Sequence, residues 1–308
     1  MTIIGAALST PEFGNAVDHG VDSARAAKES GLSGIWLGQR FDYDAIALAG
    51  IIGREVDDIT VGTSAVPIFG RHPLIVAGQA QTAQAATHGR FQYGLALGAA
   101  ALTEKAFGVE FRRPAKRLAD FLTITRSVLE TGEVDYRGTE ISAVSPIPTT
   151  LAGVDSPPPV LVAALGPRVL EVAGRFADGI LPFLAGPKVL ETQIIPTLAG
   201  AAVDAGRPPP RVVALVPALV TDDPDAGRAA LAAATSFYEQ IPSYQRVIEL
   251  SGARRAVELG LVGSADEVRA GLRDYLAAGA TEIVLTQTDS LGPQTERATW
   301  EAAAVLGR

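Results

Sequence analysis

The chain has 308 residues, 34 acidic against 26 basic, for a formal net charge of −8. That balance argues against nucleic acid or an anionic membrane as the main partner. The absence of cysteine excludes disulfides, thiolate metal sites and cysteine nucleophiles, while 47% hydrophobic against 19% charged residues provides for a large core.

Ile3–Leu8 opens the chain as an apolar run of strand character, and Asn15–Ser30 follows as a helix stopped by Gly31. Gly34–Gly38 is the second strand, with a helix over Asp44–Gly53. Ile59–Val66 is the third, followed by a helix over His72–Thr87 ending near Gly89. Phe91–Leu97 is the fourth, and after a loop Ala115–Glu130 is helical. Thr131–Pro159, rich in Pro, Gly and Thr, reads as an insertion crossing the barrel rim. Val160–Ala164 and the helix Val169–Phe176 form the fifth unit, and Ile180–Phe183 with Lys188–Ala205 the sixth.

Val212–Val220 is the seventh strand. Ala226–Val262, with its Ile241-Pro242 break, reads as an inserted helical segment, either a lid or an oligomer contact. A helix over Ala265–Ala278 leads to the last strand, Glu282–Thr286. The strands are near-continuous apolar runs, as parallel strands buried on both faces require. Eight βα units in one chain predict an α/β fold, a (β/α)₈ TIM barrel with insertions at 131–159 and 226–262, occupying residues 1–308 as one domain. A doubly wound open sheet is the alternative, but no G-x-G-x-x-G follows the first strand.

Ligand sites of such barrels lie at the C-terminal ends of the strands. There Leu165-Gly166-Pro167 stands between the fifth strand and its helix. Gly166 allows close backbone approach, Pro167 suits a first helical turn, and the helix N-terminus favours an anion; a βα turn that binds nothing is the other reading. Small residues and Ser64 end the third strand, leaving room for a flat ligand or serving packing alone. Gln39 and Arg40 emerge after the second strand, where Arg40 either holds an anion or is solvated. Arg112, Arg113, Lys116 and Arg117 form the densest basic run, either an anchor for an acidic ligand tail or partners for Asp120, Glu110 or another subunit. His72 reads as a cap, and Glu104 and Lys105 as a solvent ion pair. His19, His72 and His88 are too scattered for a metal cluster, and no proton-transfer residue is assigned.

Three segments carry a resemblance: GTSAVPIFGRHPLIVAGQAQTAQAATHGRFQYGLALG (62–98), FGVEFRRPAKRLADFL (107–122) and PPVLVAALGPRVLEVAGRFADG (158–179). In this order they resemble the bacterial luciferase-like superfamily, specifically its coenzyme F420-dependent oxidoreductases, over nearly the whole chain. The resemblance implies a flavin or 5-deazaflavin across the C-terminal mouth and a non-prolyl cis peptide at Ser64-Ala65 behind the ring. It implies ring contacts at Gln39, Ser64, Ala65, Gly98 and Ala99, and a phosphate at Leu165, Gly166 and Pro167. Glucose-6-phosphate dehydrogenases of this family carry an Asp-His pair where this chain has Gln39-Arg40, and a glutamate near Ala99. Close F420-type relatives carry Ser-His where this chain reads Ala96-Leu97. Sugar-phosphate oxidation by an Asp-His mechanism is therefore not expected.

The expectation is hydride transfer between coenzyme F420 and a small organic substrate. The alternatives are an FMN-dependent monooxygenase and a non-catalytic flavin or deazaflavin carrier. The basic run leans towards F420, whose tail carries several carboxylates. A homodimer is expected, with no nucleic-acid, membrane or metal partner. The first residues lack a basic stretch before a long apolar core, and the expected location is cytoplasmic.

Overall fold

The computed structural model describes residues 2–9, 11 and 13–307. Strands β1 (Ile3–Leu8), β2 (Gly34–Leu37) and β3 (Thr60–Thr63) alternate with helices α1 (Ala16–Glu29), α2 (Ala45–Glu55) and α3 (Pro73–Ala86), and β4 (Val66–Pro67) continues β3. β5 (Phe91–Ala96) precedes α4 (Ala100–Phe107) and α5 (Pro114–Thr131). Next come a hairpin, β6 (Asp135–Arg137) and β7 (Ser142–Val144), then β8 (Val160–Ala163), α6 (Pro167–Phe176) and β9 (Gly179–Ile180). α7 (Pro187–Val189) runs through a π turn, Leu190–Ile194, into α8 (Ile195–Asp204). β10 (Arg211–Val220), α9 (Pro224–Thr235), α10 (Pro242–Leu250), β11 (Leu261–Gly263), α11 (Ala265–Ala277), β12 (Glu282–Thr286) and α12 (Pro293–Ala304) complete the chain.

Parallel pairings run β1–β2–β3–β5–β8–β9–β10–β12 and return from β12 to β1, so eight strands close a barrel. The predicted fold class is the observed one. Two predicted strands change at their ends. Ile180–Phe183 keeps regular pairing only at Gly179–Ile180, since Pro182 has no N–H to give a ladder; its carbonyl still accepts from Leu215 N at 2.9 Å. Ile59–Val66 divides into β3 and β4 around a bulge described below.

The two insertions lie at opposite ends of the barrel. Residues 131–159 do not cross the mouth. They leave the end of α5 and return to the start of β8, both at the N-terminal face. Asp120 of α5 holds the β6–β7 hairpin by accepting from the Tyr136 hydroxyl (2.9 Å) and from the N–H groups of Glu140 (2.6 Å) and Ile141 (3.0 Å). Gln81 and Gln84 of α3 bind the rest, donating to the carbonyls of Thr149 (2.9 Å) and Ser156 (3.0 Å). Residues 226–262 leave the C-terminal end of β10 and lie over the mouth. Pro242 begins α10 after the break that follows α9, and the segment's last two residues enter β11 beside the upper half of β10.

Candidate active site at the barrel mouth

Inward and outward residues alternate along every strand, which fixes what reaches the mouth. At the barrel floor Arg211 of β10 pairs with Glu282 of β12 (2.6 Å) and donates to Gln92 of β5 (2.6 Å), a strand it does not adjoin. Those three side chains therefore point inward. One pleat higher Val213 and Val284 pack with Leu161 and the buried Trp36. Trp36 fills the middle because Gly62 opposite leaves room: a Cβ there would lie 2.4 Å from the indole. One pleat higher again stand Ala7, Ala96, Ala163, Leu215 and Thr286. This top layer is mostly small, so the barrel offers a shallow floor to a flat ligand.

The third strand adds to that floor. Between the pairs Gly62↔Gln92 and Val66↔Leu95, β3–β4 has three residues and β5 has two, a one-residue bulge. The Thr63 hydroxyl spans the interrupted ladder, accepting from Gly94 N and donating to Gly94 O, both at 2.9 Å. The Ser64-Ala65 peptide is cis, where the resemblance implied it, and both residues are partly exposed.

Gln39 differs from expectation. Its amide nitrogen donates to the carbonyls of Arg40 (2.6 Å) and Tyr43 (2.5 Å), and its oxygen accepts from Ala45 N (3.1 Å) and Arg71 (3.0 Å). All four hydrogen-bonding positions of the amide are used. Gln39 holds the loop after β2 in shape and leaves only backbone for a ligand. Arg40 is exposed and paired with Asp42 (3.1 Å).

Gly98 and Ala99 end the fourth barrel strand at the rim. Gly98 has φ +80°, a conformation glycine supplies readily, and Ala99 starts α4 without a side-chain cap. α4 was read as loop; its Ala-Leu-Glu-Lys composition and the left-handed Gly108 at its end were the available signals. Glu104 lies on α4 and accepts from Phe111 N (3.0 Å) rather than pairing with Lys105. His72 caps α3, accepting from Leu74 N.

Leu165, Gly166 and Pro167 stand at the start of α6. No side chain caps that helix, and a Cβ on Gly166 would meet nothing within 4 Å. The turn is open on the mouth side with the positive end of a helix behind it. Arg246 of α10 lines the same 160 Å³ cavity as Leu165 and Pro167, a cation the sequence pattern gave no reason to place there. The basic run is mostly engaged: Arg113 pairs with Glu140 (3.2 Å), Arg112 lies 3.8 Å from Glu110, and Arg117 lies over the Phe69 ring at 4.9 Å. Asp120 serves the hairpin instead.

Residues 226–262 form one wall. Tyr238 and Tyr244 meet Phe183 edge-on at 4.9 and 5.9 Å, and Ile248, Ala253 and Ala256 join the barrel-interior core. This segment thus packs into the barrel's own interior core. Burial pushes the hydroxyls of Tyr238 and Tyr244 upward, so both stay protonated near neutrality. Beside β10, the neighbouring strand β12 ends at Thr286, and Gln287 follows it. Behind them Glu296 of α12 accepts from Thr288; burial, with Asp289 adding repulsion, raises its carboxyl to about 7. Sequence reasoning passed over Thr286, whose distinguishing feature, a hydroxyl without a partner, is set by its surroundings.

A closed parallel barrel with its small residues and open turns gathered at the C-terminal rim defines an α/β barrel of the ligand-binding kind. The luciferase-like monooxygenase family model matches residues 2–282, and the chain belongs to that family. Similar proteins include the 5,10-methylenetetrahydromethanopterin reductase of Methanolobus tindarius, 24% identical over 89% of this chain and 91% of the relative. The F420-dependent glucose-6-phosphate dehydrogenase of Microbacterium testaceum is 27% identical over 72% of this chain and 68% of that protein. Among solved structures, an F420-dependent secondary alcohol dehydrogenase superposes with a TM-score of 0.81 at 19% identity, covering 98% of this chain and 99% of that one. The FMN-bound oxygenating constituent of a 3,6-diketocamphane monooxygenase from Pseudomonas putida gives 0.77 at 14% identity, over 98% and 97%. No described helix is long and apolar enough to cross a membrane.

Proposed function

We propose that the protein binds coenzyme F420 across the barrel mouth and transfers hydride between it and a small organic substrate. The observation that carries this reading is the pairing of two features across the mouth. One is a floor of Ala7, Ala65, Ala96 and Ala163 beside the bulge at Ser64-Ala65; the other is the open, uncapped turn Leu165-Gly166-Pro167. The first suits a flat ring and the second its phosphate. Bound F420 would supply a hydride-carrying ring carbon. Ser64, Ala65, Gly98 and Ala99 would bound the ring, and the backbone of Leu165 to Arg168 would hold the phosphate, with Arg246 adding charge. Phe183, Tyr238 and Tyr244 would keep water from one side. Catalysis then rests mainly on orientation and water exclusion.

Relatives and neighbours named for F420 support the deazaflavin, and the FMN-bound neighbour keeps the flavin as the second reading. Titration of the purified protein with F420 and FMN side by side tests the choice; tighter binding of F420 is expected, and tighter binding of FMN would reverse it. A homodimer is part of the same proposal. A groove of about 700 Å³ between α2 and α3, with Ile51 exposed beside small residues, supports it. Light scattering at micromolar concentration would read twice the chain mass of 31.9 kDa.

A further inference from the structure

We propose that Thr286 recognises a carbonyl oxygen of the substrate, its hydroxyl donating to that oxygen inside the barrel. The inference rests on the hydride-transfer reading above and adds to it a contact and a substrate class. Thr286 shares the inward phase of β12 with Glu282, which reaches the floor network, and Val284, which packs on Trp36. It is 4% exposed, and its hydroxyl is buried without a partner. Beside it stand Pro217, its register partner on β10, and the small apolar Ala7 of β1.

Two nearby hydroxyls are used within the protein. Thr63 bonds Gly94, and Thr288 receives the Trp300 indole N–H at 3.1 Å and donates to Glu296. The next residue, Gln287, repeats the anomaly. Its side-chain oxygen is buried without a partner, and its φ of +55° lies in a region non-glycine residues seldom adopt. Two adjacent unsatisfied groups at the C-terminal end of a barrel strand, the second on an unusual backbone, mark a site that a ligand completes.

The chemistry asks for such a donor. Gln39 is fully engaged, and among the described residues no acid or base lines the alanine floor. When an α,β-unsaturated ketone takes a hydride at its β-carbon, the double bond shifts and the carbonyl π pair moves to oxygen as an enolate. The two electrons come from the reduced deazaflavin of the reading above, and a water proton ends on the α-carbon. Thr286 keeps its own proton and stabilises the oxygen as charge grows there, in a setting dry enough to strengthen the bond.

The test uses Thr286→Val, of nearly the same shape, and Thr286→Ser, which restores the hydroxyl. The probe is cyclohex-2-en-1-one with reduced F420, read by absorbance. A second readout is the carbonyl resonance of the ¹³C-labelled ketone with the protein. A buried bond to a charged acceptor corresponds to a loss of about 10- to 100-fold in kcat/KM for the valine variant. F420 affinity should stay within about twofold, and the serine variant within about threefold of wild type in turnover. The bound carbonyl resonance should lie downfield in wild type and serine variant and return towards the free value in the valine variant. Wild-type turnover by the valine variant, or the same resonance in both, would overturn the proposal and leave Thr286 binding water alone. So would F420-loaded wild type that leaves the ketone unreduced, with the cofactor reading intact. If wild type does not bind F420, the hydride-transfer reading falls, and the resonance shift alone decides the Thr286 contact.

Discussion

The two ends of the barrel are built on opposite rules. At the N-terminal end polar groups are large, charged and used: Arg211, Glu282 and Gln92 bond across the interior, and Asp178 accepts from Arg126, Arg207 and Val160 N. At the C-terminal end the inward side chains are mostly small, the helix starts at Ala99 and Gly166 lack side-chain caps while Asp44 and His72 cap two others, and Thr286 has no partner. The insertions obey the same division. The one that follows a helix packs on the flank, and the one that follows a strand covers the mouth. One end closes the fold and the other keeps unspent hydrogen-bonding capacity, so substitutions should separate stability from binding according to end.

The sharpest test of that division concerns the strands themselves. A methyl at Gly94 would sit 1.8 Å from the Thr63 carbonyl, so Gly94→Ala should lower stability by about 3 kcal/mol or more in urea unfolding. Unchanged stability would mean the bulge yields easily. At the floor, Arg211→Ala strands the nearly buried Glu282 carboxylate; after allowance for the partial exposure of Arg211, a loss of about 2–3 kcal/mol is expected. Gly166→Asp reverses the pattern at the mouth: with open space around the new side chain the melting temperature should hold, while F420 affinity falls by at least about tenfold through repulsion of its phosphate. Equal affinity would remove the phosphate assignment.

Smaller effects follow. The Glu296 carboxyl, raised to about 7 from an ordinary 4.5, binds a proton more readily folded than unfolded. Its contribution is therefore full below about pH 4.5 and is lost as pH climbs towards 7. Glu296→Gln should flatten that decline and gain on wild type at pH 8 by about 1 kcal/mol, because solvent screens part of the effect. Urea midpoints at pH 5 and 8 measure it. Arg112→Ala, at an exposed pair 3.8 Å long, should move stability by less than about 0.5 kcal/mol.

Much of the barrel was legible because its physics is local. Runs such as Val160–Ala164 are apolar on both faces, and the turns between the strands carry glycine or proline at the right places. What escaped was set by neighbours. β11 exists because the upper half of β10 offers it a partner, and the β6–β7 hairpin because Asp120 waits beside it. At the site, the Gly166 turn stood out because backbone requirements leave marks in sequence, whereas the cis bond at Ser64-Ala65 was implied only by the family resemblance. Gln39 misled because a polar side chain at a strand end reads the same whether it faces a ligand or, as here, braces its own loop. Thr286 was invisible for the converse reason: an unmet bond is a property of surroundings, and a letter does not carry it.

The aromatic seam between Phe183, Tyr238 and Tyr244 has a consequence for traffic. Since it continues directly into the barrel's inner packing, swinging that wall aside would mean tearing the cylinder's own filling. Across the mouth from it, the loops beyond β2 and β5 carry Phe41 and Phe107, whose rings lie 6.0 Å apart and are open to solvent.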